Sequence, residues 1–142
     1  MSKSLIFTAT YNEIFNIKKI ISSIKKNSPK SDILVIDDNS PDGTFNLLRK
    51  IKRKNKKLKI LLREKKMGLD TAHKYAYSYA VKNNYQFLIT MDADYSHDPR
   101  EIKKMLKILK GNPFVIGSRY IKGGDCQMSF PRLILSYIGN KF

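Results

Sequence analysis

The chain has 142 residues, with 28 Lys and Arg against 12 Asp and Glu and a formal charge of +16, which fits one domain and favours anionic partners: nucleotides, phosphorylated lipids, nucleic acid or an anionic membrane surface. An excess of lysine beside abundant Ile and Asn also fits the coding bias of an AT-rich genome, so the charge alone selects no partner. Its one cysteine, Cys126, excludes an internal disulfide, no Cys/His cluster suggests zinc, and no stretch reaches the roughly 18 apolar residues of a spanning helix; a reducing cytoplasm and at most peripheral membrane contact are expected.

In chain order, "SLIFTAT" (4–10) reads as a strand, and residues 13–26 as a helix with Ile14, Ile17, Ile21 and Ile24 on one face. "DILVIDD" (32–38) has the continuous apolar character of a buried parallel strand, and "TFNLLRKIKRK" (44–54) aligns Phe45, Leu48 and Ile51 along a second helix. "LKILLR" (58–63) makes a third strand. Ala72, Tyr75, Ala76, Tyr79 and Ala80 keep helical spacing over 69–82, and "QFLIT" (86–90) follows as a fourth strand. Asp98 and Pro99 then suit the start of a helix that stops at Gly111, and "PFVIGSR" (113–119) is expected as a fifth strand. Strands alternating with helices predict an open α/β fold of the Rossmann type, a mostly parallel sheet covered on both faces, in a single domain spanning 1–142.

In such sheets ligands bind beyond the carboxyl ends of the strands. Asn12 and Glu13 follow strand one, Asp37 and Asp38 end strand two, Asp92 and Asp94 end strand four, and Arg119 ends strand five. Two close carboxylates repel unless a cation lies between them, and hard oxygen donors suit Mg²⁺ or Mn²⁺, so "DAD" (92–94) reads as a metal–diphosphate clamp if the segment is extended. A helix cap and a turn is the plainer alternative for so short a motif. "IDDNSPDGT" (36–44) combines two aspartates with turn chemistry and Thr44 as a cap, a candidate nucleotide pocket in which Asp37 or Asp38 accepts hydrogen bonds from base or ribose. His97, after a turn and near Pro99, reads as a local hydrogen-bonding residue rather than a base, and His73 lies within a helix.

Five ordered motifs, "TYNE" (10–13), "IDDNSPDGT", "GLDTA" (68–72), "MDADYSHDP" (91–99) and "GSRYIKGG" (117–124), make nearly the whole chain resemble family 2 glycosyltransferases, most of all the dolichol-phosphate mannose synthases. The resemblance implies a GT-A fold and an inverting transfer of a sugar, mannose from GDP-mannose, to a polyprenyl phosphate at the cytoplasmic membrane face. By the same resemblance Thr10, Tyr11, Asn12, Glu13 and Asp38 line the nucleotide pocket, and Asp92 and Asp94 hold the metal on the donor diphosphate. Arg119, Arg132 and Ser136 match positions that face phosphate, including the acceptor's. The guanidinium of Arg119 suits bidentate phosphate contact.

The chain departs from the family pattern at Ala9, where Pro is usual, at Asp70, where Gly is usual and a side chain would crowd the donor, and at Leu133 and Tyr137, where relatives carry arginines. It ends at Phe142, where the family's catalytic domain continues, so a C-terminally truncated domain is expected. Two rivals differ in what they require. A family member using a UDP-sugar or a glycan acceptor changes only the ligands. A basic nucleic-acid-binding domain leaves the carboxylate pairs without a purpose; carboxylates at the strand ends repel nucleic-acid phosphate unless a metal intervenes, so no nucleic acid is expected as a partner. Beyond these two, a non-catalytic interaction fragment is favoured by the early C-terminus.

Overall fold

The computed structural model describes residues 3–118. Its centre is a four-stranded parallel sheet in the order β3-β2-β1-β4, formed by β1 (Ser4–Thr10), β2 (Asp32–Asp37), β3 (Leu58–Leu62) and β4 (Phe87–Thr90). Helices α1 (Ile17–Asn27), α2 (Thr44–Arg53) and α3 (Leu69–Lys82) connect the strands, and a 3-10 turn, Pro99–Glu101, leads into α4 (Ile102–Leu109). The chain builds outward from β1 through β2 to β3, then crosses back to place β4 on the other side of β1. That reversal creates a switch point between β1 and β4, where loops diverge and leave a crevice.

Side-chain alternation assigns the two faces. Ile6, Ile33, Val35 and Ile89 pack with Ile17, Ile20, Ile21 and Ile24 of α1, Leu48 of α2 and Ile102 of α4. Leu5, Phe7, Leu34 and Ile36 point the other way, onto Ala72, Ala76 and Ala80 of α3. Four isoleucines buried on α1 explain why a helix otherwise rich in lysine is stable, since tertiary packing of one face outweighs weak intrinsic propensity. Thr8 is an exception within this apolar pattern: it is fully buried and its hydroxyl has no hydrogen-bond partner.

Three sequence expectations need correction. The first helix begins at Ile17 rather than Glu13: residues 14–16 form a turn in which the Glu13 carbonyl accepts from the Asn16 and Ile17 amides, while the amides of Asn12, Glu13 and Ile14 donate to Ser40 Oγ, Thr44 Oγ1 and Asp42 Oδ2. Thr44 does not cap α2: the Asp42 carboxylate accepts from the Thr44 amide at 2.9 Å and from its hydroxyl at 2.7 Å, with Gly43 between them at φ 90°. The fifth strand is not formed over residues 113–118, where Phe114 and Ile116 are exposed. An apolar run becomes a strand only when a neighbouring ladder takes its backbone groups, and no described strand does so here. The four strands and the helix over 69–82 otherwise fall where the hydrophobic periods place them, within a residue or two.

Candidate functional site

The carboxyl ends of β1, β2 and β4 meet at the switch point. Register pairs Thr10 with Asp37, the Asp38 amide donates to the Thr10 carbonyl at 3.1 Å, and the Met91 amide donates to the Phe7 carbonyl at 3.0 Å. These links bring "TYNE", "DDNSPDGT" and "DADYSH" to one end of the sheet.

The first loop is held by the second. Three consecutive amides, Asn12 to Ile14, bond to Ser40, Thr44 and Asp42 at 3.0, 3.1 and 3.0 Å. Asn12 takes a left-handed φ of 63°, which turns the chain sharply after β1. The Glu13 carbonyl then accepts from Asn16 and Ile17, its carboxylate accepts from Asn16 Nδ2 at 2.9 Å, and α1 begins. Tyr11 stays 40 % exposed at the mouth of the crevice, with Lys66 Nζ 4.5 Å from its ring centroid.

The two aspartates of β2 differ. Asp37 has no exposed surface; it accepts from the Thr10 hydroxyl at 2.8 Å, the Ser40 amide at 3.0 Å and the Ser40 hydroxyl at 2.6 Å. Expected among the nucleotide contacts, it instead organises the loop from inside, because a carboxylate at the last strand position can satisfy the turn that follows it. Asp38 reaches further out and pairs with Arg63, while also accepting from the Met67 amide at 3.1 Å.

The strand leading to "DAD" ends at Thr90, so Asp92–Asp94 lies in a bend and not in the extended segment expected. Ser96 nevertheless gathers both side chains: its hydroxyl donates to Asp92 Oδ2 at 3.2 Å and its amide to Asp94 Oδ1 at 2.9 Å. Burial pushes the Asp94 carboxyl up, but the Ser96 amide and hydroxyl outweigh it, with help from the Asp94 amide and the nearby His97, and the net pKa lies below the ordinary value. Asp94 therefore presents a charged oxygen at neutral pH. His97 accepts the Asp92 amide through Nδ1 at 3.0 Å, which places its proton on Nε2 and matches the local hydrogen-bonding role read from sequence. Asp98 caps the following turn, accepting the Arg100 amide at 2.8 Å as expected.

Two carboxylates tied to a shared serine form a donor set that fits Mg²⁺ or Mn²⁺, which need only one or two carboxylates when phosphate oxygens complete the shell. Among the described residues no cluster of three or more His, Cys, Asp or Glu offers a self-sufficient cage. Arg119, Arg132 and Ser136, with Leu133 and Tyr137, lie outside the described residues.

Sequence reading passed over Arg63, Ser40 and Ser96, and took Asp42 only as part of a turn. Arg63 carried the signal used for Arg119, a lone arginine just after an apolar strand. Ser40 and Ser96 carry no such signal; only the fold shows what their hydroxyls reach. Asp70 lies exposed in the first turn of α3, where a negative charge suits the helix dipole, and its side chain folds back toward Gly68.

A parallel sheet flanked by helices, with paired aspartates just beyond the carboxyl ends of its strands, defines an open α/β protein. The chain belongs to glycosyl transferase family 2, whose model matches residues 5–138, and its fold is the GT-A class. It is 34 % identical to the polyprenol monophosphomannose synthase of Mycolicibacterium smegmatis, covering 99 % of this chain and 54 % of that protein. It is 32 % identical to the undecaprenyl-phosphate mannosyltransferase of Micrococcus luteus, covering 97 % of this chain and 57 % of that protein. The chain thus spans just over half the length of these relatives. A solved mannosyltransferase from Pyrobaculum calidifontis, in complex with GDP-Man and Mn²⁺, shares the fold with a TM-score of 0.51 at 23 % identity, over 55 % of this chain and 24 % of that one.

Proposed function

We propose that this chain is the donor-binding part of an inverting glycosyltransferase that passes mannose from GDP-mannose to a polyprenyl phosphate. The observation that carries the reading is the Asp92–Ser96–Asp94 arrangement at the β1/β4 switch point, beside the "TYNE" loop. The names of the relatives, both of them mannose transferases to polyprenyl carriers, support the donor and acceptor classes.

Each residue has a task in this reading. Tyr11 offers an exposed aromatic ring to the nucleoside, the loop of Thr10, Asn12 and Glu13 shapes the pocket wall, and Asp38 lines it as the family resemblance implies. Asp92 and Asp94 would hold a divalent cation, Mg²⁺ or Mn²⁺, which supplies neutralisation of the departing diphosphate. The lipid phosphate is anionic at neutral pH and needs no strong base, in keeping with a His97 whose Nδ1 is occupied by a backbone amide. On the family resemblance, Arg119, Arg132 and Ser136 meet the acceptor phosphate. Contact with the cytoplasmic membrane face is peripheral; among the described residues no helix is long and apolar enough to cross a membrane.

Calorimetric titration of GDP-mannose into the 142-residue chain with Mn²⁺, repeated with EDTA and with Asp92→Ala and Asp94→Ala, tests the reading. Binding that requires metal and disappears in both variants is expected. Failure of the folded wild-type chain to bind GDP-mannose, alongside binding of a UDP-sugar, would move the assignment to another donor; binding of neither would overturn it.

A further inference from the structure

We propose that Arg63 is a positioning residue that locks the segment 67–71 onto Asp38 and thereby sets nucleotide affinity; the inference rests on the donor-site reading above. Arg63 follows β3 at the carboxyl end of the sheet, and its side chain is only 9 % exposed. Its guanidinium uses all three nitrogens. Nε donates to Asp38 Oδ1, Nη2 donates to Asp38 Oδ2 at 2.7 Å and to the Gly68 carbonyl at 3.0 Å, and Nη1 donates to Thr71 Oγ1 at 2.5 Å. The Met67 amide closes the circuit on Asp38 Oδ2 at 3.1 Å.

One planar fork therefore joins three places: the end of β2, the glycine turn before α3, and the first turn of α3 itself. Gly68 makes the junction possible, since its φ of 87° with ψ of 152° turns its carbonyl in a conformation side chains disfavour. A second tie, Asn39 Nδ2 to the Glu64 carbonyl at 3.0 Å, holds the chain that leads into that segment, and Lys66 just before it reaches the ring of Tyr11. Residues 63–71 thus tie Asp38 to the aromatic ring of Tyr11. Lysine would keep the charge but satisfy only one of these directions, because an ammonium is a point donor without a fixed fork.

A merely structural ion pair would lower stability and leave the affinity of the surviving fold unchanged. The test measures GDP binding with Mn²⁺ calorimetrically, well below each melting temperature, in the wild type, Arg63→Lys, Thr71→Val and, as an exposed control, Arg49→Lys. Amide hydrogen exchange over residues 67–71 is recorded in parallel. Expected are a loss of about tenfold or more for Arg63→Lys, the scale on which outer-shell partners act, a smaller loss for Thr71→Val, faster exchange over 67–71 in both, and no change for Arg49→Lys. Unchanged affinity in a folded Thr71→Val and Arg63→Lys overturns the proposal alone. A loss confined to Arg63→Lys with unchanged exchange also overturns it, by making Arg63 a direct nucleotide contact. A wild type that binds neither GDP nor UDP defeats the donor-site reading and this proposal with it.

Discussion

The Thr10 hydroxyl donates to Asp37 Oδ2 at 2.8 Å across two neighbouring parallel strands, and this bond lies wholly inside the protein. Asp37 then passes the constraint on to Ser40 through two further bonds, and the Ser40 hydroxyl in turn receives the Asn12 amide. The two loops that frame the crevice are thereby fixed to each other. Replacing Asp37 with Ala strands the Ser40 amide and the Thr10 hydroxyl in a buried place. A loss of about 2–4 kcal/mol is expected, from lost hydrogen bonds and unsatisfied donors together. Urea denaturation measures it, and a change within about 0.5 kcal/mol would show that the loop holds without Asp37.

Thr8 invites the opposite substitution. Its buried hydroxyl is unpartnered, so Thr8→Val exchanges an unsatisfied polar group for a methyl of similar volume. The variant should be more stable by about 1 kcal/mol, the lower range for burying a hydroxyl without a partner. The same denaturation series decides the sign; a destabilised variant would mean that the hydroxyl finds a partner in solution.

Gly68 should tolerate no side chain. Its backbone angles fall in a region that is essentially glycine-only, and an added Cβ would meet Asp70 Oδ1 at 2.8 Å. Asp70 can swing away, so the strain comes from the backbone. Gly68→Ala is expected to cost about 1–3 kcal/mol, and Gly68→Ala combined with Asp70→Ala should recover little of that in a thermal melt.

Acid stability should depend on Asp42. Burial pushes its carboxyl up, but bonds from the Thr44 hydroxyl and amide, the Ile14 amide and its own amide outweigh this and hold it below the ordinary value of 3.8. A group whose folded pKa is depressed adds stability above the unfolded value and loses it as pH falls through the folded one. Denaturation midpoints should therefore drop below about pH 3.8, and Asp42→Asn should flatten that limb. An unchanged acid limb in Asp42→Asn would assign the pH dependence to other carboxylates.

At alkaline pH the corresponding residue is Tyr85. Burial, then the hydrogen bond to Asp32 Oδ2 at 2.6 Å and the Asp32 charge, push its phenol well above the ordinary 10.0. Here the sign reverses: stability is complete below about pH 10 and falls as pH rises toward the raised folded value. Ultraviolet titration at pH 11, where an ordinary phenol is ionised, should show Tyr85 still protonated. Tyr85→Phe should remove its share of the alkaline loss.

Hydrophobic period was enough to place β1 through β4 and α3, because burial of one face or one stripe writes a regular spacing of Ile, Leu and Ala into the chain. Chemistry-bearing types were equally plain: paired aspartates after apolar runs in a basic sequence announce a ligand crevice, and five motifs in order announce the family. Spacing did not reveal which partners each aspartate takes. Asp37 and Asp38 are neighbours in sequence, yet one is sealed against Thr10 and Ser40 while the other meets Arg63, a residue 25 positions away. Nor did it foresee that the amides of residues 12–14 bond to the loop after β2. Local sequence determined the elements and the kinds of group at their ends, since both follow from contacts along the chain. Partnership among those groups was decided by the tertiary structure, since a hydrogen bond depends on where distant segments are brought within about 3 Å of each other.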